Sequence, residues 1–341
     1  MFKKVSIEGE KFTDREKASK FRDKGIVTVT PREKDEQEIL HKLRNSIEIE
    51  FESQSYPREI CLNKFLEKEI ISQITKFLSS EYIQKFFSSL ENECEYGEVT
   101  LFPFLNITRN FFSGPQGGQH GWHEDCGGER MYEYCRRKLS DNYLFGKLLI
   151  PLQQNGEMGG CIDFAEGTFS ENQAVSLCQR VSIRLQNIYL NINKKSHALP
   201  SLLGDQWVTD LMALPTLPKS VASNPLQVIA FSQKLFHRGT PFSPRAWSEV
   251  LKKHPTAKIR DYRLPGNINL GRFNKYMIYA HFGNKTGLES YIYDKIKRPS
   301  GPWEKEKRNW VEQYEKLELF KKIYKNSSIL FEQACLESES K

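Results

Sequence analysis

The segment YLFGKLLIPL, residues 143–152, decides the fold class, because it is a short apolar run that is interrupted by a glycine and ends near a proline. Comparable runs bounded by Gly, Pro or Asn recur along the chain. They are VTLFPFLNIT (99–108), GCIDFA (160–165), LQVIAF (226–231) and KYMIYAHFG (275–283). Several short strands with this punctuation are typical of an antiparallel sandwich or barrel. The sequence therefore predicts a mainly β core.

Helices are predicted on both sides of this core. Thr13 can cap the N-terminus of a charged, helix-favouring run that Gly25 ends, and the β-branched IVTVT then predicts a strand. Apolar spacing within residues 35–92 and 303–330 indicates further helices. No repeat or low-complexity linker divides the chain. The predicted organisation is one domain, with a mostly helical flank (1–94), a β core (95–285) and a C-terminal helical segment (286–341).

The composition is that of an ordinary water-soluble globular protein, with 38% hydrophobic and 27% charged residues among 341. The N-terminus is charged throughout and lacks the apolar core of a secretory signal, and no apolar run approaches the length of a membrane span. The seven cysteines include no CxxC pair and indicate reduced thiols. The net charge of +7 is dispersed and forms no basic stripe. We expect a cytoplasmic protein that binds no nucleic acid.

The loop GQHGWHEDCGG, residues 118–128, contains a candidate metal site. His123 and Asp125 stand at i and i+2, so on an extended segment both side chains project to one face. A second histidine is expected at His237, which follows the apolar strand LQVIAF. Two histidines and one carboxylate form the facial triad that holds Fe(II) and leaves three positions open, two for a chelating keto-acid and one for O2. The alternative is that no metal binds: His123 is then a loop residue with its hydrogen bonds satisfied, and His237 is a C-capping or buried residue.

Two neighbours of this loop compete as ligands. His120 lies close enough to remain a minor rival, and Cys126 could be a soft ligand, although a small residue beside a tight turn is the simpler interpretation. His281, His197 and His254 are interpreted as structural or surface residues, because none pairs with a carboxylate at ligand spacing.

Taken in order, four segments resemble the phytanoyl-CoA dioxygenase family of Fe(II)- and 2-oxoglutarate-dependent oxygenases. They are GWHED, KLLIPLQQNGEMGGCIDFAEGTF, VIAFSQKLFHRGTPFSP and KYMIYAHFG. The resemblance implies a double-stranded β-helix, or jelly-roll, over residues 95–285. It also implies His123, Asp125 and His237 as iron ligands, with 2-oxoglutarate and O2 as cosubstrates. The implied reaction is hydroxylation of a small organic molecule with release of succinate and CO2, since the intact Asp125 argues against halogenation.

The chain departs from the family in three places. GCIDFAEGTFS ends without the family's histidine, and residues 179–224 form an insertion that is either a substrate lid or a surface excursion. An extra stretch of about thirty residues, which includes the helix-like RAWSEVLKKH, also lies between His237 and the strand that bears the family's basic residue for 2-oxoglutarate.

Four residues are therefore candidates for that basic residue. Counting back from the end of KYMIYAHFG predicts Lys275, and Arg272 is second because a regular strand would point it to the other face. Arg245 is a third candidate, and Lys147 on a facing strand is a further one.

Two other functions stay open at this point. One is a non-catalytic barrel that binds a ligand or metal without turnover, and the other is a metal enzyme that needs no 2-oxoglutarate. Substrate identity and oligomeric state are beyond the sequence, although Arg109, Arg238 and Arg245 would suit a small acidic or amphipathic molecule.

Overall fold

The structure is a computed structural model. It describes residues 12–29, 34–53, 59–61, 68–94, 96–109, 143–152, 162–165, 218–221, 227–235, 237–239, 252 and 274–287. The predicted helix over 303–330 and most of the insertion 179–224 lie outside these residues. Within the described part of the chain, no helix is long and apolar enough to cross a membrane.

Four helices belong to the N-terminal flank. They are α1 (Asp14–Lys24), α2 (Lys34–Ser53), α3 (Lys68–Leu78) and α4 (Glu81–Cys94). The predicted ends of α1 are confirmed. Thr13 and Glu16 form a capping box, and Gly25 ends the helix with φ 71°, a left-handed conformation that favours glycine.

The described residues contain nine strands, of which six follow the predicted apolar runs. They are β1 (Ile26–Val29), β2 (Glu59–Cys61), β3 (Thr100–Arg109), β4 (Phe145–Pro151), β5 (Ile162–Ala165), β6 (Pro218–Val221), β7 (Val228–Ser232), β8 (His237–Gly239) and β9 (Tyr276–Gly283). The sequence did not predict β2, inside the helical flank, β6, inside the segment 179–224, or β8, which follows the predicted strand LQVIAF. All three are short and lack a strong apolar run, so each is a strand only because a neighbouring strand pairs with it.

These strands form two antiparallel sheets. The larger has the order β1-β7-β4-β9-β3-β2, and the smaller has the order β6-β5-β8. Every described pairing is antiparallel, and this confirms the predicted antiparallel β core with flanking helices. The register between β3 and β9 shifts between Leu101 and Leu105, where Pro103 has no N–H to contribute to the ladder. The complete double-stranded β-helix remains a prediction.

The central strands of the larger sheet are buried on both faces. In β9, Ile278, Ala280 and Phe282 pack in one apolar core with residues of the four helices. The intervening Met277 and Tyr279 face a second cluster that joins the two sheets. This inter-sheet cluster consists of Ile26, Leu149, Ile162, Phe164, Val221, Ile229, Phe231, Leu235 and Met277. The helices therefore cover one face of the larger sheet and the smaller sheet covers the other.

The helical layer is held against the sheet by an aromatic group around Phe282. The Phe282 ring lies 5.7 Å from that of Phe21, 6.2 Å from Phe86 and 5.2 Å from Phe87, measured between ring centroids. On β4, Gly146 makes room for this ring, because a Cβ there would stand 2.5 Å from Phe282 Cζ. Only glycine allows the strand and the ring to approach this closely.

Asn284 connects three backbone segments just after β9. Its Oδ1 accepts hydrogen bonds from the backbone N–H of Leu144 at 3.1 Å and of Gly287 at 3.0 Å, and its Nδ2 donates to Tyr96 O at 2.9 Å. The residue is buried, so water cannot replace these partners. Asn284 therefore ties the start of β4 to the end of β9.

We expect Asn284→Ala to lower the free energy of unfolding by about 3 kcal/mol, because it leaves buried backbone groups without their partners. Urea denaturation measures the change. Asn45→Ala is the control: Asn45 is exposed on α2, and its replacement should change stability by at most about 0.5 kcal/mol. Equal effects of the two substitutions would contradict the role given to Asn284.

Candidate functional site

His237 lies between the two sheets at the first position of β8. It pairs in register with Phe164 on β5, a member of the inter-sheet cluster, and directly opposite residues of neighbouring strands share a face. Its ring also stands 4.9 Å from the Phe231 ring of the larger sheet, at an interplanar angle of 60°. Only 6% of the residue is exposed. The imidazole is thus enclosed by both sheets.

The orientation of the His237 ring is set by a backbone hydrogen bond. Nδ1 lies 2.7 Å from the carbonyl oxygen of Leu235. A carbonyl oxygen only accepts, so Nδ1 carries the proton and donates it. In the neutral imidazole this leaves the lone pair on Nε2. Histidines that ligate metals are commonly oriented by the same kind of contact, with the second ring nitrogen donating to a carbonyl or carboxylate.

Lys147 lies on β4 of the larger sheet, beside the phenylalanine whose ring contacts His237. It pairs in register with Phe231 of β7 on one side and with His281 of β9 on the other. Its Nζ is 6.0 Å from the centroid of the Phe231 ring, the ring that contacts His237. A lysine and a histidine therefore share the inter-sheet face beside His237, with their Cβ atoms about 5 Å apart as in any directly opposite pair.

His281 is buried on β9, which agrees with its interpretation as a structural residue, and it lies directly opposite Lys147. It is 7% exposed, and its ring centroid is 6.0 Å from that of Phe145. Its distance in the sequence from any carboxylate does not indicate the neighbours that the sheet gives it. The alternation of KYMIYAHFG was a usable signal, since it places His281 on the same face as Met277 and Tyr279.

Lys275 immediately precedes β9 and is only 2% exposed, which makes it one of the most deeply buried large side chains of the described residues. By alternation it shares the inter-sheet face with Met277. His281 is six positions further along the chain, which corresponds to about 20 Å along an extended strand. The inter-sheet face of β9 thus has basic side chains at both ends.

Asp163 on β5 lies on the other face of the smaller sheet, since it alternates with Ile162 and Phe164 of the inter-sheet cluster. Its register partner on β8 is Arg238, one position along from the pair formed by Phe164 and His237. Asp163 is 4% exposed. By alternation this carboxylate is turned away from the inter-sheet space, so it is not a counterpart for His237 there.

Several predicted site residues lie outside the described residues. These are His123, Asp125 and Arg272, together with the alternatives His120, Cys126 and Arg245. Arg109 belongs to β3 and Arg238 belongs to β8. Within the described ranges, no group of three His, Cys, Asp or Glu side chains could hold a metal ion. The structure therefore positions one predicted ligand, His237, and two predicted cofactor-binding lysines, Lys147 and Lys275.

No protein-family model matches the chain, and no curated protein matches its sequence. Solved structures do resemble it. AviO1 from Streptomyces viridochromogenes Tue57 is 11% identical, with a TM-score of 0.43 over 80% of this chain and 96% of that one. EctD from S. alaskensis with bound Fe is 12% identical, with a TM-score of 0.43 over 89% and 86%. SnoN, a non-haem α-ketoglutarate-dependent epimerase from nogalamycin biosynthesis, is 11% identical, with a TM-score of 0.40 over 80% and 83%. Similarity at this level does not assign a reaction.

The hydrogen bond to Leu235 predicts a single neutral tautomer for His237, protonated at Nδ1. Nitrogen-15 spectra of histidine-labelled protein at mildly alkaline pH, where an ordinary imidazole is neutral, should show this state. His41, exposed on α2, serves as the comparison and should show a mixture of both tautomers. A His237 ring protonated at Nε2 would contradict the assigned orientation.

Proposed function

We propose that this protein is an Fe(II)- and 2-oxoglutarate-dependent oxygenase that hydroxylates a small organic molecule and releases succinate and CO2. One observation carries the proposal. His237, the distal histidine of the motif set, lies buried between two antiparallel sheets, and a backbone carbonyl holds it with its lone pair on Nε2. This is the protonation state that a metal ligand requires.

The donor set fits a ferrous ion. His237 supplies one imidazole, and His123 and Asp125 are proposed to complete the triad from the segment between β3 and β4. Two imidazoles and one carboxylate suit non-haem Fe(II) and leave open positions for other ligands. When bound, the iron supplies the oxidative chemistry with O2. The protein holds the ligands, positions the substrate and excludes water.

Exclusion of water is a property of the inter-sheet cluster. Phe164 of the smaller sheet and Phe231 of the larger sheet flank His237, and both are almost completely buried. In such surroundings each charged contact is stronger than it would be in water. A buried anion there also needs a cation, because an unpaired carboxylate in an apolar site costs several kcal/mol.

Lys275 is the proposed cation for the distal carboxylate of 2-oxoglutarate. It stands at the start of the last strand, where the resembling family has its basic residue for 2-oxoglutarate. It is also buried, as expected of a residue that binds an enclosed anion. A lysine binds as a point charge, whereas the arginine of relatives would grip the carboxylate with two parallel hydrogen bonds. Arg272 remains the second candidate and Arg245 the third.

We infer a small-molecule substrate and a cytoplasmic location. The competing function is a metal-binding barrel that needs no 2-oxoglutarate or performs no turnover. Incubation of the purified full-length protein with Fe(II) and 2-oxoglutarate under air separates the two, since only the proposed enzyme releases succinate. Metal binding without succinate would favour the competing function.

For the metal site, we expect His237→Ala to weaken Fe(II) binding at least about 100-fold, because a directly coordinating residue should matter no less than the outer partners of metal ligands. Anaerobic titration calorimetry measures the affinity. His120→Ala is the matched control, and it should leave the affinity unchanged. A loss of affinity with His120→Ala instead would move the first ligand from His123 to His120.

For the cosubstrate, we expect Lys275→Met to weaken 2-oxoglutarate binding about ten- to a hundredfold, as loss of a charge-assisted contact would. Methionine keeps the length of the side chain and removes its charge, so Fe(II) binding should persist. Arg272→Met should have a much smaller effect. The reverse ranking would transfer the role to Arg272. If neither substitution weakened binding, another residue would hold 2-oxoglutarate, or the protein would not use it.

A further inference from the structure

The inter-sheet face has more cationic positions than the proposed cosubstrate needs. This inference rests on the proposed function. A 2-oxoglutarate molecule that chelates iron through its keto oxygen and one carboxylate has a single carboxylate left to be bound by a cation. The face nevertheless has Lys275 at one end of β9 and, about 20 Å along the strand, the pair formed by Lys147 and His281.

The second position lies at the end of the sheet where His237 is held. Lys147 and His281 are directly opposite each other on β4 and β9, and Phe231 is opposite Lys147 on its other side. The Phe231 ring contacts His237 at 4.9 Å. A substrate must place its reacting atom close to the metal, so a group that binds substrate is expected beside His237.

The side chains around this pair define the kind of molecule that would fit. The positive charge of Lys147 attracts an anion, and the buried imidazole of His281 can donate a hydrogen bond to it. Aromatic rings flank both residues: Phe231 lies beneath Lys147 Nζ at 6.0 Å, and Phe145 lies 6.0 Å from the His281 ring. Charge next to aromatic surface suits an acid with an apolar body.

We propose that Lys147 and His281 form the subsite for the carboxylate of the substrate, and that the substrate is a small acid whose apolar part rests against Phe231. This assigns Lys147 to the substrate and leaves Lys275 for 2-oxoglutarate. It also gives His281 a positioning role in binding.

The experiment compares benzoate with benzamide as probes, since they share a ring and differ in charge. Anaerobic calorimetry on the Fe(II)-loaded, full-length protein, with 2-oxoglutarate present at saturation, should show benzoate bound about tenfold or more tightly than benzamide, the effect of one charge-assisted contact. Lys147→Met should abolish this preference and Lys147→Arg should retain it. His281→Phe should reduce it while benzamide binding is unchanged.

Lys85→Met is the matched control, because it removes one lysine charge from the exposed surface of α4 and should not alter the preference. Thermal melts by circular dichroism verify that each variant is folded. Equal affinity for the two probes, no binding of benzoate, or a preference that survives Lys147→Met would each overturn the proposal. So would competition between benzoate and 2-oxoglutarate, which would make Lys147 a cosubstrate residue. Failure of the oxygenase proposal is recognised separately, by absence of succinate with Fe(II) present.

Discussion

Alternation along the two central strands, β4 and β9, is the constraint on which the rest of the structure depends. Successive side chains of a strand point to opposite faces, and both faces of these strands are buried. The helical layer occupies one face with a large apolar core, and the basic side chains of β4 and β9 lie on the other face. Lys147 and His281 lie there, opposite each other and under the smaller sheet. Because the helices cover one face of the larger sheet, the basic groups of the candidate site lie on the opposite face.

The register of these strands is as important as their alternation. A slip by one residue would exchange the faces and place Lys147 and His281 among the helices, where an unpaired charge costs several kcal/mol. Two contacts oppose such a slip. The Phe282 ring occupies the space left by Gly146, and Asn284 bonds to Leu144 just before β4. Packing on the helix side thus determines the geometry on the site side, although the two sets of residues lie on opposite faces.

Features that depend on residues close together in the sequence were predicted correctly. Features that depend on contacts between distant parts of the chain were not. The ends of α1 were predictable, because Thr13, Glu16 and Gly25 act on their own neighbours in the chain. The strands with long apolar runs were predictable for the same reason. β2 and β6 were not, since EIC and PKSV have no strong local preference and become strands through pairing with β3 and β5. The environment of His281 was missed because its neighbours, Lys147 and Phe145, are distant in the sequence.

By itself, the sequence determined the helical flank, the antiparallel β class and the ordered set of motifs that ends in His237, because these depend on local propensity, periodicity and residue type. The tertiary structure decided which side chains meet. It placed His237 against Phe231 across the two sheets, with its Nδ1 donating to Leu235, and it brought Lys147 and His281 together across strands separated by more than a hundred residues. Such contacts follow from the pairing register and sheet packing of the whole chain, which no local stretch of sequence encodes.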